Sequence, residues 1–218
     1  MANWQALVDS DERFEPHYRE LLEVLLDSGD DDIVDFGCGH GRHVSKMIAG
    51  GKLAVGVDHC PPEAGVTHAA ESGYGIIEGS WDDLGPGSYG AGWSHHVLEH
   101  SRDAIGTLHA WGHAIRTGGR LYVAVPRFRA DVLAGHVHTG FSAHQLAYLL
   151  ALAGWDCRDG AFAENSLNAM AVVVKPAEFT IKDHLKQGTG EGSGWSEAQL
   201  YLPGEPTGGQ WVLPQRGA

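Results

Sequence analysis

Two groups of residues in this 218-residue chain have types and spacings suited to chemistry. The first is the run Ile33-Val34-Asp35-Phe36-Gly37-Cys38-Gly39-His40-Gly41-Arg42, followed sixteen residues later by Asp58. Glycine at alternate positions permits a tight turn and lets a ligand approach the backbone where a Cβ would obstruct it. A helix starting after such a turn offers unpaired N–H groups and the positive end of its dipole. A carboxylate that closes the next apolar run, Leu53-Ala54-Val55-Gly56-Val57, suits a ribose diol. Together these describe a nucleotide site. The second group is histidine, of which there are 14, including His95, His96 and His100 in one segment and His136 and His138 in another. Neutral imidazole accepts a proton near pH 7, so His136 and His138 are candidate general bases. A metal needs three or four convergent ligands. Neighbours on a strand point to opposite faces, so His95 and His96 are not expected to share an ion, and no metal site is expected.

The elements that must position these groups follow from periodicity and breakers. Tyr18, Leu21, Leu22, Leu25 and Leu26 recur at helical spacing and predict an amphipathic helix over residues 15–26. Asp30-Asp31-Asp32 reads as a solvated lead-in to the first strand. The order then runs strand 33–36, helix 43–49, strand 53–57, helix 63–72, strand 75–78 and strand 91–97. A helix over 101–116, its start fixed by Glu99 and His100, is expected to end at the glycine cap Gly118-Gly119, before a strand at 121–126. Residues 127–140 form a loop too long to be a plain connector, holding Arg127, Arg129, Asp131, His136 and His138. Ser142 and Gln145 make a capping box for a helix running to residue 153. Segments 155–158 and 168–175 predict a closing hairpin, and 179–185 a short helix. From residue 187 glycine and proline are dense, yet Trp195, Tyr201, Leu202, Trp211, Val212 and Leu213 are too apolar for a simple linker.

Composition narrows the class. At 43% hydrophobic and 20% charged residues the chain reads as a globular protein, with no apolar run near the ~20 residues a bilayer span needs. Residues 1–5 have neither the basic cluster nor the apolar stretch of a signal peptide, and three cysteines, Cys38, Cys60 and Cys157, suggest free thiols. A cytoplasmic location is the expectation. The formal charge of −13 gives no general attraction to phosphate, so nucleic acid is not an expected partner.

The spacing of the glycine turn resembles motif I of the class I S-adenosylmethionine-dependent methyltransferases. A dinucleotide fingerprint wants glycine at its sixth place, where this chain has Arg42. Asp35 stands two residues before the first glycine, as that family's acid does. Three further segments resemble the family in the same order: His96-Val97-Leu98-Glu99-His100 at the end of a strand, Gly118-Gly119 before the next, and Ala153-Gly154-Trp155 after a histidine-rich loop. The resemblance implies an α/β fold, a three-layer Rossmann-like sandwich around a seven-stranded, mostly parallel sheet with an antiparallel last strand. It implies S-adenosylmethionine as cofactor, held by Asp35, Gly37, Cys38, Gly39 and Gly41, by Asp58 with His59 beside it, and by His95 and His96 near the methionine part. Ser80 occupies the place of the family's adenine-binding acid, so Trp81 is expected to offer its N–H or stack on adenine and Asp82 to substitute for the acid. Residues 1–29 are expected to form a helical cap to which Trp4, Phe14 and Tyr18 contribute, 30–176 the catalytic domain, and 177–218 an extension that packs on its own domain or pairs subunits. The acceptor is expected to be a small molecule. Two other functions share part of the pattern: a nicotinamide-dependent oxidoreductase, and a cofactor-binding scaffold without turnover.

Overall fold

The computed structural model describes residues 15–128 and 135–182. Helix α1 (Glu15–Asp27) leads into β1 (Asp32–Phe36), α2 (Arg42–Ala49), β2 (Leu53–Asp58), α3 (Glu63–Ser72), β3 (Gly75–Glu78) and β4 (Tyr89–His95). Then follow α4 (Ala104–Ala114), β5 (Ile115–Pro126), α5 (Ala143–Leu152), β6 (Asp156–Glu164) and β7 (Asn168–Val174). The strands form one sheet in the order β3-β2-β1-β4-β5-β7-β6. The first five are mutually parallel, and β7 runs antiparallel to both β5 and β6.

The central strands are mostly apolar because both faces of the sheet are covered, as parallel sheets require. Along β5 and β7 successive residues alternate between two cores. Leu121, Val123, Val125, Ala169, Ala171 and Val173 pack with α4 and α5, among Leu108, Trp111, Leu146 and Leu150. Tyr122, Ala124, Met170 and Val172 pack on the other side with Tyr18, Leu21 and Leu25 of α1 and Met47 of α2. Trp155 closes the first core, its indole N–H donating to the Leu108 carbonyl at 3.1 Å.

Five expectations change. The acidic run is more than a solvated lead-in: Asp30 is buried and accepts from Arg120 at 3.0 Å and from the Tyr122 hydroxyl at 2.7 Å, while Asp31 pairs with Lys52 and Asp32 with Arg116. Helix α4 does not run to a glycine cap. It ends at Ala114, and Gly118-Gly119 lie inside β5, where a Cβ on Gly119 would meet the Gly90 carbonyl oxygen at 2.3 Å. Residues 179–182 are not helical. Phe179 instead stacks on His109 with ring centroids 4.7 Å apart and covers Trp155 and Gly112, where a Cβ would leave no room for its ring. Strand β4 ends at His95 rather than at residue 97, and β6 extends to Glu164, well beyond the predicted 158. Trp4, Phe14, Arg129, Asp131 and the residues from 183 onward lie outside the described residues.

The Asp30 network predicts a large stability effect. Asp30→Ala leaves the Arg120 guanidinium buried without its carboxylate and should cost about 3–5 kcal/mol, lowering Tm by roughly 10 °C. Tyr122→Phe removes a single hydrogen bond to a charged group and should cost about 2 kcal/mol. Urea denaturation of both variants checks the order, and a smaller loss for Asp30→Ala would contradict it.

Candidate active site

The chain leaves β1 through three glycines, all with left-handed backbone: Gly37 at φ 73°, Gly39 at 52° and Gly41 at 73°. Gly37 and Cys38 both donate to the Val57 carbonyl, at 2.8 and 3.2 Å, which folds the turn over the end of β2. A Cβ on Gly37 would lie 2.5 Å from a Val97 methyl, and one on Gly41 2.9 Å from Ile76. Around Gly39 there is nothing within 4 Å of where a Cβ would be. Its N–H donates to Asp58 Oδ2 at 2.9 Å, and Asp58 Oδ1 accepts from the Cys60 N–H at 2.9 Å. Asp58 thus pins the glycine turn to the carboxyl end of β2. The Cys38 side chain points inward onto Gly56, where a Cβ would sit 2.4 Å from the sulfur, and burial pushes its thiol pKa up. Gly56, read from sequence as part of an apolar strand, is the space that accepts that thiol.

Asp35 is 1% exposed, and its Oδ2 makes no hydrogen bond. His43 Nδ1 lies 3.9 Å from this Oδ2. Burial, and then repulsion from Asp58, hold this carboxyl well above the usual carboxylate range. The His43 ring touches Tyr18, Trp93 and His95, with centroids 4.7, 5.4 and 5.1 Å away. His95 and His96 do not point to opposite faces, contrary to the strand argument. The strand has ended, His96 takes a left-handed conformation at φ 57°, and the two rings stack 4.2 Å apart and 4° from parallel. His96 Nε2 meets Asn168 Oδ1 at 2.7 Å.

A cavity of about 430 Å³ opens at these strand ends, lined by Gly37, Asp58, His59, Trp81, His96, Val97, His100 and Ser101. Five of the expected residues therefore share one wall. Asp35, Cys38, Gly39, Gly41, Ser80, Asp82, His95, His136 and His138 are not part of that lining. Trp81 stands with its ring 4.7 Å from His59 and 5.8 Å from Trp111. Ser80 caps the short 3₁₀ turn Trp81–Asp83: its hydroxyl accepts from the Asp82 N–H and donates to the Asp82 carboxylate, both at 3.1 Å.

The loop histidines meet the other side of this wall. Val137 and His138 donate their N–H groups to the Glu99 carbonyl, at 2.8 and 3.0 Å. His100 Nδ1 lies 2.8 Å from the Gly135 carbonyl, and the His136 ring stands perpendicular to His100 at 4.8 Å. His138 packs on Phe141 at 5.4 Å. Burial, and then the charge of His100, hold His136 below the ordinary histidine pKa. Glu99 is fully buried, with no hydrogen bond to either carboxylate oxygen, and burial raises its pKa to about 7 against the opposing pull of the nearby Glu99 backbone N–H dipole and of His100. Sequence reasoning placed Glu99 and His100 at the start of the next helix. The helix is capped instead by Asp103, which accepts from Gly106 at 2.9 Å, leaving His100 free to line the cavity. The recurrence of histidine at 100, 136 and 138 was the available signal.

This sheet order, with an antiparallel strand inserted before the edge, is that of the class I methyltransferases and differs from the all-parallel order of dinucleotide-binding folds. Residues 34–123 match the family described as methyltransferase domain, and this segment is a domain of the S-adenosylmethionine-dependent methyltransferase type. Among solved structures it resembles the Burkholderia thailandensis 1,6-didemethyltoxoflavin-N1-methyltransferase, which contains bound 1,6-didemethyltoxoflavin and S-adenosylhomocysteine. That match has a TM-score of 0.63 and 20% identity, covering 79% of this chain and 86% of that one. A SAM-dependent methyltransferase from Thermotoga maritima matches with a TM-score of 0.57 and 16% identity, over 79% of this chain and 99% of that one. The [4+2]-cyclase SpnF matches with a TM-score of 0.57 and 15% identity, over 73% and 82%. These likenesses concern the fold. No curated protein matches the sequence. No helix among the described residues is long and apolar enough to cross a membrane.

The turn geometry predicts that Gly37→Ala is destabilising twice over, through its left-handed backbone and through Val97. The combined cost should be about 2–4 kcal/mol. A Val97→Ala background should recover the steric part and leave about 1 kcal/mol. Thermal melts of the single and double variants measure the difference, and strictly additive losses would refute the contact.

Proposed function

We propose that this protein transfers the methyl group of S-adenosylmethionine to a small acceptor bound in the cavity beside His96 and His100. The observation that carries the reading is the open face of Gly39 bonded to the Asp58 carboxylate, which itself lines a cavity at the carboxyl ends of β1, β2 and β4. In an open α/β sheet that is where a nucleotide lies. Asp58 keeps lone pairs for the ribose hydroxyls, Trp81 with His59 supplies a ring surface for adenine, and the glycine backbone admits the ligand closely. Asp35 sits behind the turn, and a cationic α-ammonium or sulfonium would neutralise its charge. Ser80 and Asp82 satisfy one another, so their contribution to adenine is through the turn they shape around Trp81.

The reaction is a displacement at the methyl carbon. The cofactor supplies the electrophile, and the protein contributes alignment and electrostatics. On the acceptor side the chemical groups are the cavity-wall imidazole of His100 and, packed against it, His136. His138 sits one step further back, on Phe141, and holds the loop in place. A 430 Å³ cavity fits a small-molecule acceptor.

Calorimetry should show S-adenosylhomocysteine binding and no binding of NAD(H). Gly39→Ala places a methyl in the open space and should weaken that binding at least tenfold, at a stability cost of only about 1–2 kcal/mol. An unchanged affinity in the folded variant would sink the assignment. Labelled methyl should then appear in a phenol, amine or thiol from an acceptor panel, whereas binding without transfer to any of them would mark a scaffold.

Asp35 adds a pH dependence. Its pKa in the free protein is raised, so below that value the site carries a proton that the ligand's α-ammonium group expels. Affinity for S-adenosylhomocysteine should therefore rise with pH and level off above the free-state pKa. Asp35→Asn should flatten the slope. Titrations in buffers of different ionisation enthalpy read the proton directly, and uptake in place of release would contradict the role.

A further inference from the structure

Glu99 makes no hydrogen bond that would hold a buried carboxylate in place. It is 0% exposed, and neither oxygen has a hydrogen-bond partner. An enclosed carboxylate without partners is costly, so it calls for a compensating cation or donor. Its own backbone carbonyl draws the loop in, through the N–H groups of Val137 and His138. That contact delivers the imidazoles. His100 Nδ1 lies 2.8 Å from the Gly135 carbonyl. A carbonyl only accepts, so Nδ1 carries the proton and Nε2 keeps its lone pair, as in histidines oriented for metal binding by an outer carbonyl. That Nε2 lies 3.9 Å from Glu99 Oε1. The His136 ring stands perpendicular to His100, and its buried Nδ1 has no hydrogen-bond partner. One ligand atom from each of the three residues lies within 4.8 Å of the other two.

We propose that Glu99, His100 and His136 form a binding site for a zinc-class divalent ion, with its open position toward the cavity that His100 lines. Two imidazoles and a carboxylate are a ligand set for zinc or its neighbours, whereas magnesium and calcium prefer oxygen alone. Modest side-chain rotation brings the ligand atoms to the roughly 3.3 Å separation of tetrahedral ligands held about 2.0 Å from zinc. The sequence led to the expectation of no metal site anywhere in the chain, which this proposal departs from; His95 and His96 stay outside it, with His96 Nε2 engaged by Asn168. Resting on the methyl-transfer reading, the open position would take the acceptor. A hydroxyl or thiol would lose its proton to solvent as its oxygen or sulfur joins the ion. A lone pair on that atom would then attack the methyl carbon, the carbon–sulfur bond electrons returning to sulfur as S-adenosylhomocysteine leaves.

The test uses the full chain, stripped with a chelator. Zinc is titrated against a chromophoric competitor, and cobalt is added separately to read visible d–d bands. One equivalent should bind more tightly than any other, and the cobalt form should show the bands of a four- or five-coordinate ion. His136→Ala, His100→Ala and Glu99→Gln should each weaken that equivalent at least tenfold. His144→Ala, which removes an exposed histidine on α5, should not. Retained S-adenosylhomocysteine affinity in His136→Ala, on the loop, shows that the variant is folded even if Glu99→Gln is not. The proposal is overturned if the stripped chain takes up no stoichiometric zinc, or if His136→Ala and His100→Ala keep the parent affinity. Zinc held without S-adenosylhomocysteine binding would remove the methyl-transfer reading and leave the metal site standing. Methyl transfer by a chain that binds no zinc would do the reverse.

Discussion

A parallel sheet buried on both faces leaves its strand ends as the principal place for polar chemistry, and the site obeys that constraint. The faces of β5 and β7 are occupied by alternating apolar residues of two cores. An ionised group placed there would face a desolvation cost of several kcal/mol. Asp35, Asp58, His96 and Glu99 accordingly lie at or just beyond the carboxyl ends of β1, β2 and β4. Asp58 binds two of these segments together, because its oxygens accept from Gly39 in the turn and from Cys60 beyond the strand. Without that carboxylate the Gly39 N–H would lose its partner and the turn its anchor to β2.

Asp35 and Glu99 are both fully enclosed, and burial raises the pKa of each. Two such groups within one domain cost stability, which is tolerable where a positively charged ligand supplies the balance. They occupy different places: Asp35 lies at the end of β1 under the glycine turn, and Glu99 beneath the loop whose Val137 and His138 N–H groups bond its carbonyl. The chain's formal charge of −13 gives the same sign of field at long range, favouring a sulfonium over a phosphate-rich partner.

What the sequence disclosed and what it hid divide along one physical line. Local patterns were legible: the alternate glycines, the apolar strands, the Ser142 cap whose hydroxyl accepts from the Gln145 N–H, and the element order. Features set by long-range partners were not. Asp30 looked solvated because its partners, Arg120 and Tyr122, lie some ninety residues away. Gly118 and Gly119 looked like a helix cap because the close approach of the Gly90 carbonyl, which makes Gly119 necessary, is invisible locally. His100 looked like part of a helix start because Asp103, the actual cap, stands only three residues on.

His96 shows how far the site depends on the distant hairpin. A non-glycine residue at φ 57° is strained by about 1–2 kcal/mol, and something must hold it. Its backbone N–H donates to the Ala124 carbonyl, and its ring meets the side chain of Asn168, a fully buried residue at the first position of β7. Asn168 is in turn fixed by its own N–H, which donates to the Asn165 side chain in the turn between β6 and β7. The antiparallel strand therefore does more than finish the sheet. It holds the bend at His96, and the bend sends the chain through Val97 under Gly37 and on to Glu99 and His100, so that Val97 and His100 come to line the cavity.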